Sequence, residues 1–230
     1  MSAAPSSRKA APARRTQAER SDAMRRRLLA ATVQSLAEDG YAGSTLSSIV
    51  RRAGVSRGAQ VHHYPNKQAL ILDAAEDLMR RSYKTLGAVL LSVADEADRL
   101  EALMKAAWEQ LFSTPMYRAY TELVAASQRD PVLARSLRQM LRRVRGVFEP
   151  AVEHYFEPAP GARENLKALF LQMSCLLGGL SMQAHLIGGQ DYIDAQLRLW
   201  SRQAGALMRA RKGVRTPPPR PAEWDRPMQG

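Results

Sequence analysis

Cysteine is nearly missing: Cys175 stands alone in 230 residues. No disulfide can close within one chain, and such usage fits a reducing cytoplasm. Set in LQMSCLLGG, the thiol reads as a small buried apolar side chain and not as a nucleophile. Aromatic residues make up only 6%, and no run alternates Val, Thr or Tyr with polar residues, so extended sheets are not expected. Apolar residues at 45% still suffice for a core, and Ala, Leu, Arg, Glu and Gln recur throughout. The expected fold class is therefore all-α.

Long apolar runs are equally scarce. The N-terminal MSAAPSSRKAAPARRTQAER has none, which argues against a signal peptide, and its Ala, Pro, Ser and Arg content predicts a disordered basic arm over residues 1–21. Between Lys167 and Asp191 no residue is formally charged, a length that could span a bilayer. Gln172, Ser174, Ser181, Gln183, His185 and Gln190 interrupt it, as do two Gly-Gly pairs. It reads as a helix buried in protein, with no membrane among the expected partners. Catalytic patterns are missing too. No Gly-rich phosphate loop or metal-ligand spacing occurs, and Asp95, Glu96, Asp98 and Glu101 read as acids at a helix start, where the dipole favours them. No enzyme activity, cofactor or bound metal is expected.

What the chain has in excess is positive charge, +12 in all. Residues 1–27 carry +6, residues 28–67 carry +2, residues 68–208 balance to zero and residues 209–230 carry +4. A basic first third on a neutral body suggests a footprint for a polyanion, nucleic acid ahead of an anionic membrane surface. A nonspecific basic nucleic-acid or membrane-surface binder, held by its arms alone, is the alternative to a specific DNA-binding protein.

Helical periodicity divides the rest. A first helix is predicted from about Ser21 to Asp39, with Leu29, Val33, Leu36 and Ala37 as its stripe and Gly40 as its stop. Thr45 can cap a second helix of about two turns, whose Leu46, Ile49, Val50 and Ala53 share one face. Gly54 supplies the positive φ of a sharp turn, Ser56 can cap a third helix over Arg57 to Tyr64, and Pro65 stops it. Asn66 can then cap a fourth, with Leu70, Ile71, Ala74, Ala75 and Leu78 in its stripe. Two short helices joined through a glycine turn and packed on a longer one make a helix-turn-helix, over residues 45–64. Five more helices follow, at about Arg99 to Ser113, Met116 to Ser127, Val132 to Phe156, Ala162 to Ile187 and Asp191 to Arg211, for about nine in all. The last stretch, residues 212–230, is predicted to be a disordered Pro-rich tail.

The third helix carries the chemistry. Arg57, Gly58, Gln60 and Val61 sit near its start and are mostly unsuited to a core. Arg can bond guanine O6 and N7 as a pair, Gln can do the same at adenine, Val can touch a thymine methyl, and Gly lets the backbone approach. Such a helix fits the major groove N-terminus first. His62 and His63 are helix neighbours about 100° apart and cannot easily chelate one ion, so zinc is not expected. One ring should pack inward while the other, with Lys67, reaches a phosphate oxygen. Thr45 and Ser47 can offer amides and hydroxyls to a second phosphate.

The run RRRLLAATVQSLAEDGYAGSTLSSIVRRAGVSRGAQVHHYPNKQALILDAAEDL resembles the DNA-binding domain of the TetR/AcrR family of bacterial transcriptional regulators. The resemblance is carried by LAEDGY, Thr45, AGVSRG, HHYPNK and Leu70, and it covers residues 22–82. It implies a homodimeric cytoplasmic repressor on double-stranded DNA, at a palindromic operator. Thr45, Ser47, His63 and Lys67 would hold phosphates and Arg57, Gly58, Gln60 and Val61 would face bases. Many members have an aliphatic and then an aromatic residue where Gln60 and Val61 stand, so Gln60 is either buried or reads a base.

The resemblance further implies that residues 83–211 form a helical effector and dimerisation domain whose last two long helices build the dimer interface. Ala168 to Gly189 is too apolar for a one-sided surface helix. Leu177, Gly178 and Ser181, with Leu197, Trp200 and Ala204 on the next helix, are the expected interface, against the alternative of burial within one chain. Met104, Trp108, Phe112, Tyr120, Phe148, Phe170 and Met173, with Met116, are candidates for a pocket that takes a small apolar effector, although such residues more often form core.

Overall fold

The first helix begins earlier than its apolar stripe suggests. In the computed structural model, which describes residues 16–93, 98–163 and 165–216 apart from the side chains of Val147 and Phe148, helix α1 spans Gln17–Gly43. The Thr16 hydroxyl accepts from the Glu19 amide at 3.2 Å, and the Glu19 carboxylate accepts from the Thr16 amide at 2.7 Å. This reciprocal cap satisfies two amides that a helix start leaves open, and it draws into the helix residues expected in the arm. The rest of that arm, and the tail beyond residue 216, lie outside the described residues.

Gly40 breaks α1 where a stop was predicted, with φ 71° and ψ 175°, but the chain re-enters one helical turn before Ser44. Then come α2 (Leu46–Ala53), α3 (Arg57–His63) and α4 (Lys67–Ser92). The larger half holds α5 (Arg99–Ala107), a π-helical turn over Trp108–Phe112, α6 (Pro115–Ser127), α7 (Pro131–Tyr155), α8 (Leu166–Gln183) and α9 (Gln190–Gly205). The described residues thus form nine α-helices, as the periodicity predicts.

The end of the last helix is a correction. It stops at Gly205 rather than Arg211, and Met208–Ala210 becomes strand β2, antiparallel to β1 (Phe156–Pro158) with Phe156 opposite Ala210. Long-range contacts decide this. Met208 is fully buried, Arg209 and Arg211 both reach the Glu157 carboxylate at 2.7 and 3.2 Å, and the Arg211 amide donates to the Tyr155 carbonyl.

Apolar burial falls into three clusters. Leu28, Leu29, Ile49, Ala53, Tyr64, Leu70 and Ala74 hold α1 to α4 together at the N-terminal end. Leu36, Ile71, Ala75 and Leu78 of α1 and α4 pack with Ala119 and Leu123 of α6 and Leu133, Leu137 and Met140 of α7. That second cluster joins the two parts of the molecule. The third and largest fills the C-terminal half around Leu103, Met104, Tyr155, Phe156, Phe170 and Leu177.

Candidate nucleic-acid interface

Local backbone chemistry sets the turn between α2 and α3. The Thr45 hydroxyl accepts from the Ser48 amide at 3.1 Å and the Ser48 hydroxyl accepts from the Thr45 amide at 3.0 Å. Gly54 ends α2 in the left-handed region, at φ 60° and ψ 41°, where a side chain would be strained. The Arg27 guanidinium donates to the carbonyls of Ala53 and Gly54 at 2.7 and 2.8 Å, closing the turn from α1. Ser56 caps α3 through the Ala59 amide at 3.2 Å.

The far end of α3 is fastened by a polar network. Arg25 of α1 makes two bonds to Asp73 of α4, at 2.9 and 2.6 Å, and the Tyr64 hydroxyl donates to the same carboxylate. Burial, then the Asp73 carboxylate, push the Tyr64 phenol well above its ordinary pKa, so it remains a donor. Asp73 in turn raises the already basic Arg25, chiefly through their hydrogen bond. None of Arg25, Arg27 or Asp73 was marked by the sequence, because each acts across 26 residues or more, or through one side chain of a long helix.

On this frame α3 presents Arg57, Gly58, Val61 and His62 outward, with Val61 at 56% exposure. Arg57 has no hydrogen bond or ion pair among the described residues. A Cβ built on Gly58 would meet nothing within 4 Å, so no contact among the described residues accounts for the missing side chain. Gln60 is a correction. It is 2% exposed, and its side-chain amide donates to the Tyr64 carbonyl at 2.5 Å, so it faces the core and not a base.

Thr45 and Ser47 are exposed at the start of α2, and His63 is half-buried beside Tyr64 while His62 is open to solvent. Lys67 lies lower than expected. Its ammonium donates to the Tyr41 carbonyl at 2.9 Å and sits 4.5 Å from the centre of the Tyr41 ring, and burial holds its pKa below the ordinary lysine value.

In the larger half the expected interface residues turn inward, which is a third correction. Leu177, Gly178, Leu197 and Ala204 are buried in their own chain, Trp200 packs half-buried against the same core, and the Ser181 hydroxyl donates to the Phe112 carbonyl at 2.5 Å. A Cβ on Gly178 would lie 2.5 Å from the Tyr117 hydroxyl, so the close approach that this glycine allows is within the chain. The exposed large apolar side chains of this region are Leu171, Met182, Leu186, Tyr192 and Leu199, and Cys175, expected to be buried, is exposed as well. Met104, Trp108, Phe112, Phe170 and Met173 pack in the C-terminal core and Tyr120 against the joining cluster, while the Phe148 side chain lies outside the described residues. Among the described residues no group of His, Cys, Asp and Glu is placed to hold a metal, and no helix is long and apolar enough to cross a membrane.

A capped helix-turn-helix with an outward third helix and an exposed arginine at its start is the architecture of a DNA-binding regulator. Residues 28–75 match the family described as bacterial regulatory proteins, tetR family. The regulator CymR of Pseudomonas putida is 36% identical over 138 residues, 60% of this chain and 68% of that one. The regulator BetI of Stenotrophomonas maltophilia is 28% identical over 197 residues, 80% of this chain and 95% of the other. The chain belongs to the TetR family of transcriptional regulators. Its fold is shared with a TetR-family regulator from Mesorhizobium loti, at a TM-score of 0.62, 16% identity and coverage of 81% of this chain and 97% of that one. A regulator from Saccharomonospora viridis in complex with choline has the same fold, at 0.61, 18%, 80% and 97%.

Proposed function

We propose that the chain is a cytoplasmic homodimeric repressor that binds a palindromic operator and releases it when a small effector binds the larger half. The observation that carries the operator reading is the face of α3: among the described residues Arg57 is exposed and unpaired, Gly58 has no neighbour where a Cβ would stand, and Val61 is exposed. Arg57 would bond a guanine edge, Val61 would touch a thymine methyl, and Gly58 would let the helix backbone approach the groove. Thr45, Ser47, His63 and Lys67 would take phosphates on either side and so set the register. Pairing would use the exposed stripe of Leu171, Met182, Leu186, Tyr192 and Leu199 in place of the buried residues first expected. That so many large apolar side chains lie open on neighbouring segments supports an isologous contact. The choline-bound neighbour supports a small organic effector, and the aromatic side chains packed in the core of the larger half favour one with an apolar body.

Selection of duplexes from a random-sequence library, followed by sedimentation of protein and complex, tests the reading. The expected result is an inverted repeat bound by two chains, with half-sites about one helical turn or a multiple apart. Leu186→Glu, which sets a charge in the exposed stripe, should yield monomers that bind the site weakly. Equal affinity for the selected and an unrelated duplex would reject specific binding and leave the nonspecific basic binder.

A further inference from the structure

Tyr41 follows the break in α1, and each of its polar groups is taken by a different segment. Gly40 has left the helical region, so the Tyr41 amide has no carbonyl one turn back to bond. The acceptor comes from the other part of the molecule: the Glu122 carboxylate of α6 accepts from it at 3.0 Å. Contact there is close enough that a Cβ on Gly40 would stand 3.0 Å from the same carboxylate oxygen, so Gly40 is required for its φ and for this approach. The Tyr41 carbonyl and ring receive the Lys67 ammonium, and its hydroxyl lies 3.5 Å from Asp130 at the start of α7. Three residues on, buried Ser44 donates to the Gly40 carbonyl at 2.7 Å and hands the chain to the Thr45 cap.

We propose that Glu122 and Tyr41 are positioning residues for DNA binding, which register the edge formed by Thr45 and Lys67 on helix α6 of the larger half. The proposal rests on the phosphate contacts assigned above. Its physical content is that one carboxylate supplies the cap for a helical turn it does not belong to. A shift of α6 along α1 therefore removes the acceptor of the Tyr41 amide and disturbs the carbonyl that holds Lys67. On α6 itself the Tyr117 ring packs against Phe112 and the Tyr120 ring against Tyr117, with centres 4.6 and 5.5 Å apart, so packing changes around Phe112 reach α6 directly.

Duplexes selected by the full chain serve as the probe, with affinity measured across a salt series. Glu122→Ala is expected to weaken binding about 5- to 10-fold, with the salt slope unchanged because no phosphate contact is lost. Lys67→Gln should weaken binding and lower the slope by about 0.9. In the double variant the Glu122→Ala factor should shrink, since the cation that it registers is gone. Glu122→Gln keeps an acceptor oxygen and should recover most of the affinity, and in the DNA-free protein the Tyr41 amide should exchange faster in Glu122→Ala. Unchanged affinity in Glu122→Ala, or factors that simply multiply in the double variant, would overturn the proposal. An unchanged slope in Lys67→Gln would sink the phosphate assignment of Lys67, while amide exchange and Glu122→Ala affinity still decide the positioning role. If Glu122→Ala loses its cooperative melt, Glu122→Asp, with the carboxylate drawn back by one methylene, is compared with Glu122→Gln in its place.

Discussion

The DNA-binding third and the larger half of this chain differ in how much apolar core stands behind their directed bonds. In the first, a small cluster around Leu28, Ile49 and Leu70 is supplemented at nearly every joint by a directed bond: Thr45, Ser56 and Asn66 cap helices, Arg27 ties the turn, Arg52 reaches Glu38 and Asp39, and Asp73 collects Arg25 and Tyr64. In the second, caps at Asp98, Thr114, Asp130 and Asn165 and the pairing of Glu157 with Arg209 and Arg211 play the same part, but a broad apolar core around Phe156, Phe170 and Leu177 lies beneath them. Burial is non-directional and fixes how much volume is filled. Hydrogen bonds fix angles and distances. The part that presents one short helix therefore has many directed bonds over a small core, while the larger half adds a broad core to its own.

Core truncation probes that contrast with the largest effect. Phe170, 1% exposed, should cost about 3–5 kcal/mol on Phe170→Ala, and Leu28, fully buried in the smaller cluster, about 2–5 kcal/mol on Leu28→Ala. The joining cluster of Leu36, Ile71, Leu78, Leu123 and Leu137 implies that both losses appear in one calorimetric transition. Two separate transitions, each moved by only one variant, would make the halves independent folding units and undo the coupling.

The same contrast explains what could be read from the chain alone. Thr45, Gly54, Ser56, Pro65 and Asn66 each instruct the backbone at their own position, so the helix-turn-helix and its boundaries were legible residue by residue. Gln60 was not. Its amide looks like a surface group, but helix α3 ends at Tyr64 and frees a carbonyl one turn away, and that single bond makes burial tolerable. The inner face of α8 was misassigned because both of its faces are apolar, and periodicity cannot say which one turns in: Leu177 and Gly178 do, Leu171 and Met182 do not. Strand β2 depends on Glu157, about fifty residues from its partners Arg209 and Arg211, and no local pattern announces such a pairing. The Glu122 cap on Tyr41 is of the same kind.

A smaller effect separates surface from support within α3. Arg57→Ala removes an exposed side chain with no partner among the described residues, so the melting temperature should stay put while binding to the selected site falls by about 1–3 kcal/mol and binding to random DNA changes little. Gln60→Leu should do the reverse. It deletes the bond to the Tyr64 carbonyl, costing about 0.5–1.5 kcal/mol of stability, and leaves base preference in repeated selections unaltered. A changed consensus in Gln60→Leu would return that residue to the reading face.

Gly58 gives the smallest shift and the sharpest separation of roles. It lies in helix α3 outside the positive-φ region, with nothing within 4 Å of the site a Cβ would occupy. Within the free protein, alanine there should be favoured, since glycine in a helix costs about 0.5–1 kcal/mol relative to alanine. Gly58→Ala should therefore raise the melting temperature slightly. If the absent side chain makes room for a groove wall, the same variant should bind the selected duplex more weakly, so that stability and affinity move in opposite directions. A variant that melts higher and binds as well as the original protein would mean that the duplex does not come close at Gly58, and that α3 docks through Arg57 and Val61 at a greater distance.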